Sequence, residues 1–160
     1  MSHVLDQASA VLPDRFGFLM GLYAENYRRL QRLFAPERLT CGQYQSDLDD
    51  GLDVRLIVQE RHRYTLELSL SYGFVDASTG HPSPSAQLRM YTDAGVAEAM
   101  HCHPDRHLWH VLGPFPEAHT VMQHRLQMNS FLNRWLEYLA EQGHSIGTLE
   151  PVADERRRRA

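Results

Sequence analysis

Hydrophobic and polar residues alternate along two stretches of this chain, and apolar residues recur every three or four positions along two others. Leu52, Val54, Leu56 and Val58 alternate with Asp53, Arg55, Ile57 and Gln59. Leu66, Leu68, Leu70, Tyr72 and Phe74 alternate with Thr65, Glu67, Ser69, Ser71 and Gly73. A period of two predicts a half-buried strand in each. The connection Glu60–Arg63 is short, so these strands are expected to pair antiparallel. A weaker strand over Thr40–Ser46 precedes them across the acidic turn Asp47–Gly51. Asp76–Pro84, rich in Gly, Pro and Ser, reads as a loop.

From Arg15 to Phe34 the spacing of Phe16, Leu19, Tyr23, Tyr27, Leu30 and Phe34 predicts an amphipathic helix ended by Pro36. Asp14 is placed to cap it, and residues 1–14 read as a flexible lead-in. Gly17 and Gly21 each weaken this helix by about 1 kcal/mol relative to Ala, and close helix packing is their expected use. A second helix over Thr120–Gln142 presents Val121, Met128, Leu132, Trp135 and Leu139, with Gly143 as its terminator. Between them His103–Ala118 is irregular, broken by Pro104, Pro114 and Pro116. The expected fold is α+β, an antiparallel sheet of about five strands packed with an N-terminal and a C-terminal amphipathic helix. It forms one domain over 15–148, with 149–160 a disordered tail.

Leu88–Met100 reads as a β-hairpin, and its register decides where one carboxylate points. A loop of even length pairs Tyr91 with Val96 and Arg89 with Glu98, a cross-strand ion pair. A three-residue loop, Asp93-Ala94-Gly95, pairs Thr92 with Val96 instead. The second register gathers Leu88, Met90, Val96, Glu98 and Met100 on one face and is the one the larger apolar residues favour. Glu98 then faces inward, where a carboxylate needs a partner or water.

Composition narrows the function classes. The chain has 160 residues, 42% hydrophobic and 22% charged, with a formal net charge of −4. That balance supplies no field to gather nucleic acid or anionic membrane. The run Arg156–Arg159 is expected to be a solvated tail. Cys41 and Cys102 make no disulfide framework, no signal-type segment opens the chain, and no apolar run reaches membrane-spanning length. A cytoplasmic location is the expectation.

Candidate chemistry is sparse. His101, His103, His107 and His110 could supply zinc ligands, but their spacing matches no zinc signature, so neither metal nor cofactor is expected. No Gly-x-Ser-x-Gly elbow and no phosphate-binding glycine loop is present. Asn26 and Asn129 interrupt good helices, which asks for hydrogen bonds to hold them: either a tie between helix and sheet or the wall of a pocket. The candidate ligand-binding residues are therefore Glu98, Arg89, Tyr91, Asn26 and Asn129. Two functions follow: a binding or accessory module for a partner protein or small ligand, or a small enzyme using Glu98 as acid/base with Tyr91 or a histidine.

Several segments carry a family resemblance. They are Asn26-Tyr27 with Leu30 and Leu33, Arg63-Tyr64-Thr65, Pro84, and Leu88-Arg89-Met90-Tyr91 through Asp93-Ala94 to Val96-Ala97-Glu98. Asn129, Phe131-Leu132, Trp135-Leu136, Tyr138-Leu139 and Gly143 complete the set. Together they resemble the YqiB-like proteins, small bacterial cytoplasmic proteins with a domain of unknown function. The resemblance runs from about Leu19 to Gly143 and implies a compartment, with no catalytic residues to carry over. The chain departs from that pattern at Thr92 and at Met122-Gln123-His124-Arg125.

Overall fold

The computed structural model describes residues 2–49, 53–73, 85–103 and 121–153, with the side chains of the first helix described from Arg15 onward. Helix α1 (Ser2–Leu33) leads into a 3-10 turn at Pro36–Arg38. Strands β1 (Gly42–Ser46), β2 (Val54–Arg61), β3 (Thr65–Tyr72), β4 (Ser85–Tyr91) and β5 (Val96–His103) follow. Helix α2 (Val121–Gln142), a second 3-10 turn (Ile146–Thr148) and strand β6 (Leu149–Pro151) complete the described chain. The strands form one antiparallel sheet in the order β5-β4-β3-β2-β1-β6. The α+β architecture is the one the periodicities predict.

Two boundaries differ from expectation. Helix α1 begins at Ser2 and runs through Pro13, well before Arg15. Residues 149–151 belong to the sheet, because Leu149 pairs with Ser46 and Pro151 with Tyr44. Three residues are too few to show a period, so only the free edge of β1 explains this sixth strand. The expected loop at Asp76–Pro84 and the proline-rich part of His103–Ala118 lie outside the described residues.

The core follows from the alternation. Val54, Leu56 and Val58 on β2 pair with Tyr72, Leu70 and Leu68 on β3, which places one apolar row against the next. All six are at most 1% exposed. Leu30 and Leu33 from α1, Phe34 just after it, and Phe131, Leu132, Trp135, Leu136 and Leu139 from α2 join these rows in one core. Trp135 stands edge-on to Tyr72 with ring centres 5.7 Å apart, the favoured geometry for aromatic pairs.

The hairpin adopts the even register. Tyr91 pairs with Val96, Met90 with Ala97, Arg89 with Glu98 and Leu88 with Ala99. Gly95 takes a left-handed φ of 65°. Its N–H donates to Tyr91 O at 2.9 Å, closing a loop of Thr92, Asp93, Ala94 and Gly95. This corrects the three-residue loop. The physical reason lies at the edge of the sheet. Both helices contact β5, and only small side chains leave room there, so Ala97 and Ala99 are buried while Val96 and Met100 are half-exposed. A shift between Gln87 and Leu88 leaves Met100 without a partner, and beyond it Cys102 pairs with buried Ala86 and turns to the core.

Candidate functional site

Asn26 and Asn129 are both 0% exposed, and helix periodicity brings them together where α1 and α2 cross beside β5. Asn26 Nδ2 donates to Asn129 O at 3.3 Å. Asn129 Oδ1 accepts from the backbone N–H of Ala99 at 2.9 Å, and its Nδ2 donates to Arg125 O at 2.9 Å. Asn133, one turn further along α2, donates to Asn26 Oδ1 at 3.1 Å. β5 is an edge strand, and a backbone N–H buried there under helices needs an acceptor. The asparagines tie helix, helix and sheet edge into one polar joint. Asn133 was legible only through its i+4 spacing from Asn129.

Glu98 lies on the other face of β5 from Ala99. Its Oε1 accepts from the Tyr91 hydroxyl at 2.8 Å. Arg89, although paired with Glu98 in register, turns its guanidinium to Glu67 at 2.8 Å. The hydrogen bonds that its guanidinium donates to Tyr91 and then to Glu67 hold its charged form more firmly. The Arg89–Glu98 ion pair that the even register allows is replaced by a relay of Glu67, Arg89, Tyr91 and Glu98, and Glu98 does not face inward as the three-residue loop predicts. Tyr23 joins from α1: burial first, then the charge of Glu98, raise its pKa above the ordinary 10, with Arg125 opposing. Sequence reading placed Tyr23 on the core stripe and did not connect it to the hairpin. The arrangement holds a carboxylate between phenols, with cations on either side.

A third polar group closes the far edge of the sheet. Gly143, with φ 108°, ends α2. The N–H groups of Gly143 and His144 return to Ala140 O and Leu139 O, as the glycine predicts. This turn delivers buried His144 to Ser46, with Nδ1 2.7 Å from Ser46 Oγ. Ser46 Oγ is also 2.6 Å from Thr148 Oγ1. Ser46 is 0% exposed, so this is a joint between β1 and the segment after α2. Beside it a cleft of about 430 Å³ is lined by Gln45, Asp47, Gly147, Thr148, Glu150, Pro151 and Val152. A hydrogen bond with Asp47, then burial, raises the pKa of Asp53, the carboxyl that Gln45 also reaches at 3.1 Å.

The histidines do not converge among the described residues. His101 is exposed on β5, the side chain of His103 is not described, and His107 and His110 lie outside the described residues. No group of three or more His, Cys, Asp or Glu residues that could hold a metal occurs among the described residues. Burial raises the Cys102 thiol to about 12, so it is no thiolate at neutral pH.

At the end of α1 the Tyr27 hydroxyl donates to Glu37. Burial, then that hydrogen bond and the Glu37 charge, lift Tyr27 to about 12. The folded state therefore holds this proton more tightly than the unfolded chain does. The resulting stabilisation is complete below pH 10 and is lost as pH rises from 10 to about 12. In Glu37→Gln, the Tyr27 ionisation seen as a tyrosinate absorbance difference against Tyr27→Phe moves down but stays above 10, because burial is the larger cause.

One surface contrasts with these closed joints. Phe16, Phe18 and Met20 are 56%, 61% and 40% exposed. Phe16 was expected on the core stripe, but burial on α1 begins at Leu19 among its described side chains. The described residues before Leu19, Arg15 to Phe18, are all exposed.

A family model described as a protein of unknown function, DUF1249, matches residues 29–145. The chain belongs to the DUF1249 family. The DUF1249 match spans β1 to β5 and α2, and it begins beyond the exposed turns of α1. Comparison with curated proteins and with solved structures gave no match. No helix among the described residues is long and apolar enough to cross a membrane.

Proposed function

We propose that this DUF1249 protein is a binding or accessory module that docks a partner protein through the exposed face of α1. Within the family it belongs with the YqiB-like proteins of the bacterial cytoplasm. The observation that carries the reading is the exposure of three large apolar side chains in little more than one turn, Phe16 and Met20 on one side of α1 and Phe18 on the other, on a helix that buries Leu19, Leu22, Leu30 and Leu33. Such a concentration of exposed apolar side chains is characteristic of interaction sites. Arg28 and Arg32 are exposed further along the same helix, so the patch carries a positive flank.

The small-ligand reading draws support from the Glu98–Tyr91–Tyr23 cluster, a polar group with a perturbed phenol. Against it, Asn26 and Asn129 satisfy each other and the Ala99 N–H, which leaves them no free group for a ligand. An enzyme would need Glu98 and a second acid or base to share an open cleft.

In-cell photo-crosslinking tests the proposal. A photoreactive phenylalanine analogue at position 18 is expected to give a discrete protein adduct, and one at Arg55 on β2 none. Equal labelling from both positions, or none from position 18, contradicts it. A metabolite or metal that raises the melting temperature of the wild type but not of Glu98→Gln would favour the small-ligand reading.

A further inference from the structure

Strand β2 changes face before it ends. Its register with β3 shifts after Val58, so that Glu60 pairs with Glu67 and Arg61 with Leu66. Directly opposed residues share a face. The bulge at Gln59 therefore turns Arg61 to the side of buried Leu66, which packs in the core with both helices. There Arg61 Nη1 donates to two carbonyls of the turn after α1, that of Glu37 at 2.9 Å and that of Leu39. Exposed Arg38 lies between those two carbonyls, and exposed Arg32 stands in the last turn of α1 just before them.

The tip of the β2–β3 hairpin adds a further guanidinium. Arg63 stands over the ring of Tyr64, 5.1 Å from its centre, and Tyr64 is 49% exposed. The tip is held in place: the His62 N–H donates to Thr65 O at 2.8 Å, and the Thr92 N–H of the next hairpin donates to Tyr64 O at 2.9 Å. The carboxylates beside these residues are Glu37, Glu60 and Asp93. Glu37 accepts from the Tyr27 hydroxyl, and Glu60 lies 3.0 Å from His62 Nε2. None of Arg38, Arg61 and Arg63 forms an ion pair among the described residues.

We propose that this corner binds an acidic segment of a protein, its carboxylates set on Arg38, Arg61 and Arg63. The site is separate from Phe16–Met20 and stands whether or not that turn docks a protein. An arginine fork meets a carboxylate with two parallel hydrogen bonds. Arg61 is already positioned by the two carbonyls that one of its nitrogens holds, and its other donors point away from them. Tyr64 offers an exposed ring to the apolar residues of the segment. The flanking carboxylates favour such a segment over a nucleic acid. A phosphate chain with a charge at every step would be repelled by Glu37, Glu60 and Asp93, whereas spaced carboxylates reach between them. Exposed ion pairs are individually weak, so the binding is modest and falls as salt rises.

Fluorescence anisotropy of a labelled polyglutamate peptide, titrated with the full chain at low salt, tests it. The wild type is expected to give a saturable rise. Arg38→Glu with Arg63→Glu is expected to weaken it about tenfold or more, while the melting temperature stays that of the wild type because both side chains are exposed. Arg15→Glu with Arg55→Glu makes the same change of net charge at exposed sites elsewhere, and should bind within about twofold of the wild type. A wild type that does not bind the peptide, or equal losses in the two variants, overturns the proposal. A single-stranded oligonucleotide of the same charge that binds more tightly than the peptide also overturns it, because the corner would then be reading phosphate.

Discussion

Trp135→Ala is expected to lower the unfolding free energy by about 3–5 kcal/mol, a large share of the roughly 5–15 kcal/mol typical of a domain. Trp135 is 0% exposed at the centre of α2, between Phe131 on its own helix and Tyr72 on β3. Removing the indole opens a cavity that the rigid sheet on one side cannot close. Urea unfolding should show the loss as a lower midpoint with an unchanged slope. Trp135→Phe should cost less than the alanine variant. Part of the ring remains, and the buried Nε1–H, which has no acceptor among the described residues, is removed.

Asn129→Ala is expected to cost about 3 kcal/mol, although the side chain removed is small and polar. The amide accepts from the Ala99 N–H and from Asn26, and donates to Arg125 O. Its loss strands a buried N–H on β5, and it takes from the buried Asn26 amide one of two acceptors, leaving it the backbone O of residue 129. Asn129→Asp keeps the acceptor for Ala99 but loses the donor to Arg125 O. A double-mutant cycle of Asn26→Ala and Asn129→Ala should show coupling on the order of 1 kcal/mol, because the two side chains share a buried hydrogen bond. Additive effects would mean that the two amides act separately.

Sequence periodicity reached the architecture because burial on one face imposes it. The alternation over Thr65–Tyr72 could be satisfied only by a strand with Leu66, Leu68 and Leu70 inward, and the structure places them so. The asparagines were legible for a related reason: a poor helix former inside a good helix must be held by something. The hairpin register was not legible. Judging the inner face by side-chain size fails where helices press on an edge strand, since close contact there demands alanine. Tyr23 and Arg125 joined Glu98 only through the packing of α1 and α2 on β5, a distance no local pattern encodes. The sixth strand and the Ser46–His144 joint depend on residues about a hundred positions apart. Gly143 predicted the turn that brings them together, but not what they meet.

The same reasoning separates closed from open parts of the molecule. The residues that looked most chemical, Asn26, Asn129 and Glu98, have their hydrogen bonds answered within the chain. Phe16, Phe18 and Met20 of α1 have no such answer among the described residues, and the central claim is that another protein surface supplies it.

Amide hydrogen exchange of α1, compared between the purified chain alone and the chain with the protein recovered by crosslinking at position 18, tests that claim most directly. Slowing confined to α1 when that protein is added, strongest around Phe16–Met20 and absent from β1 to β4, is the predicted result. Exchange in those turns that stays fast whether or not that protein is present would contradict it.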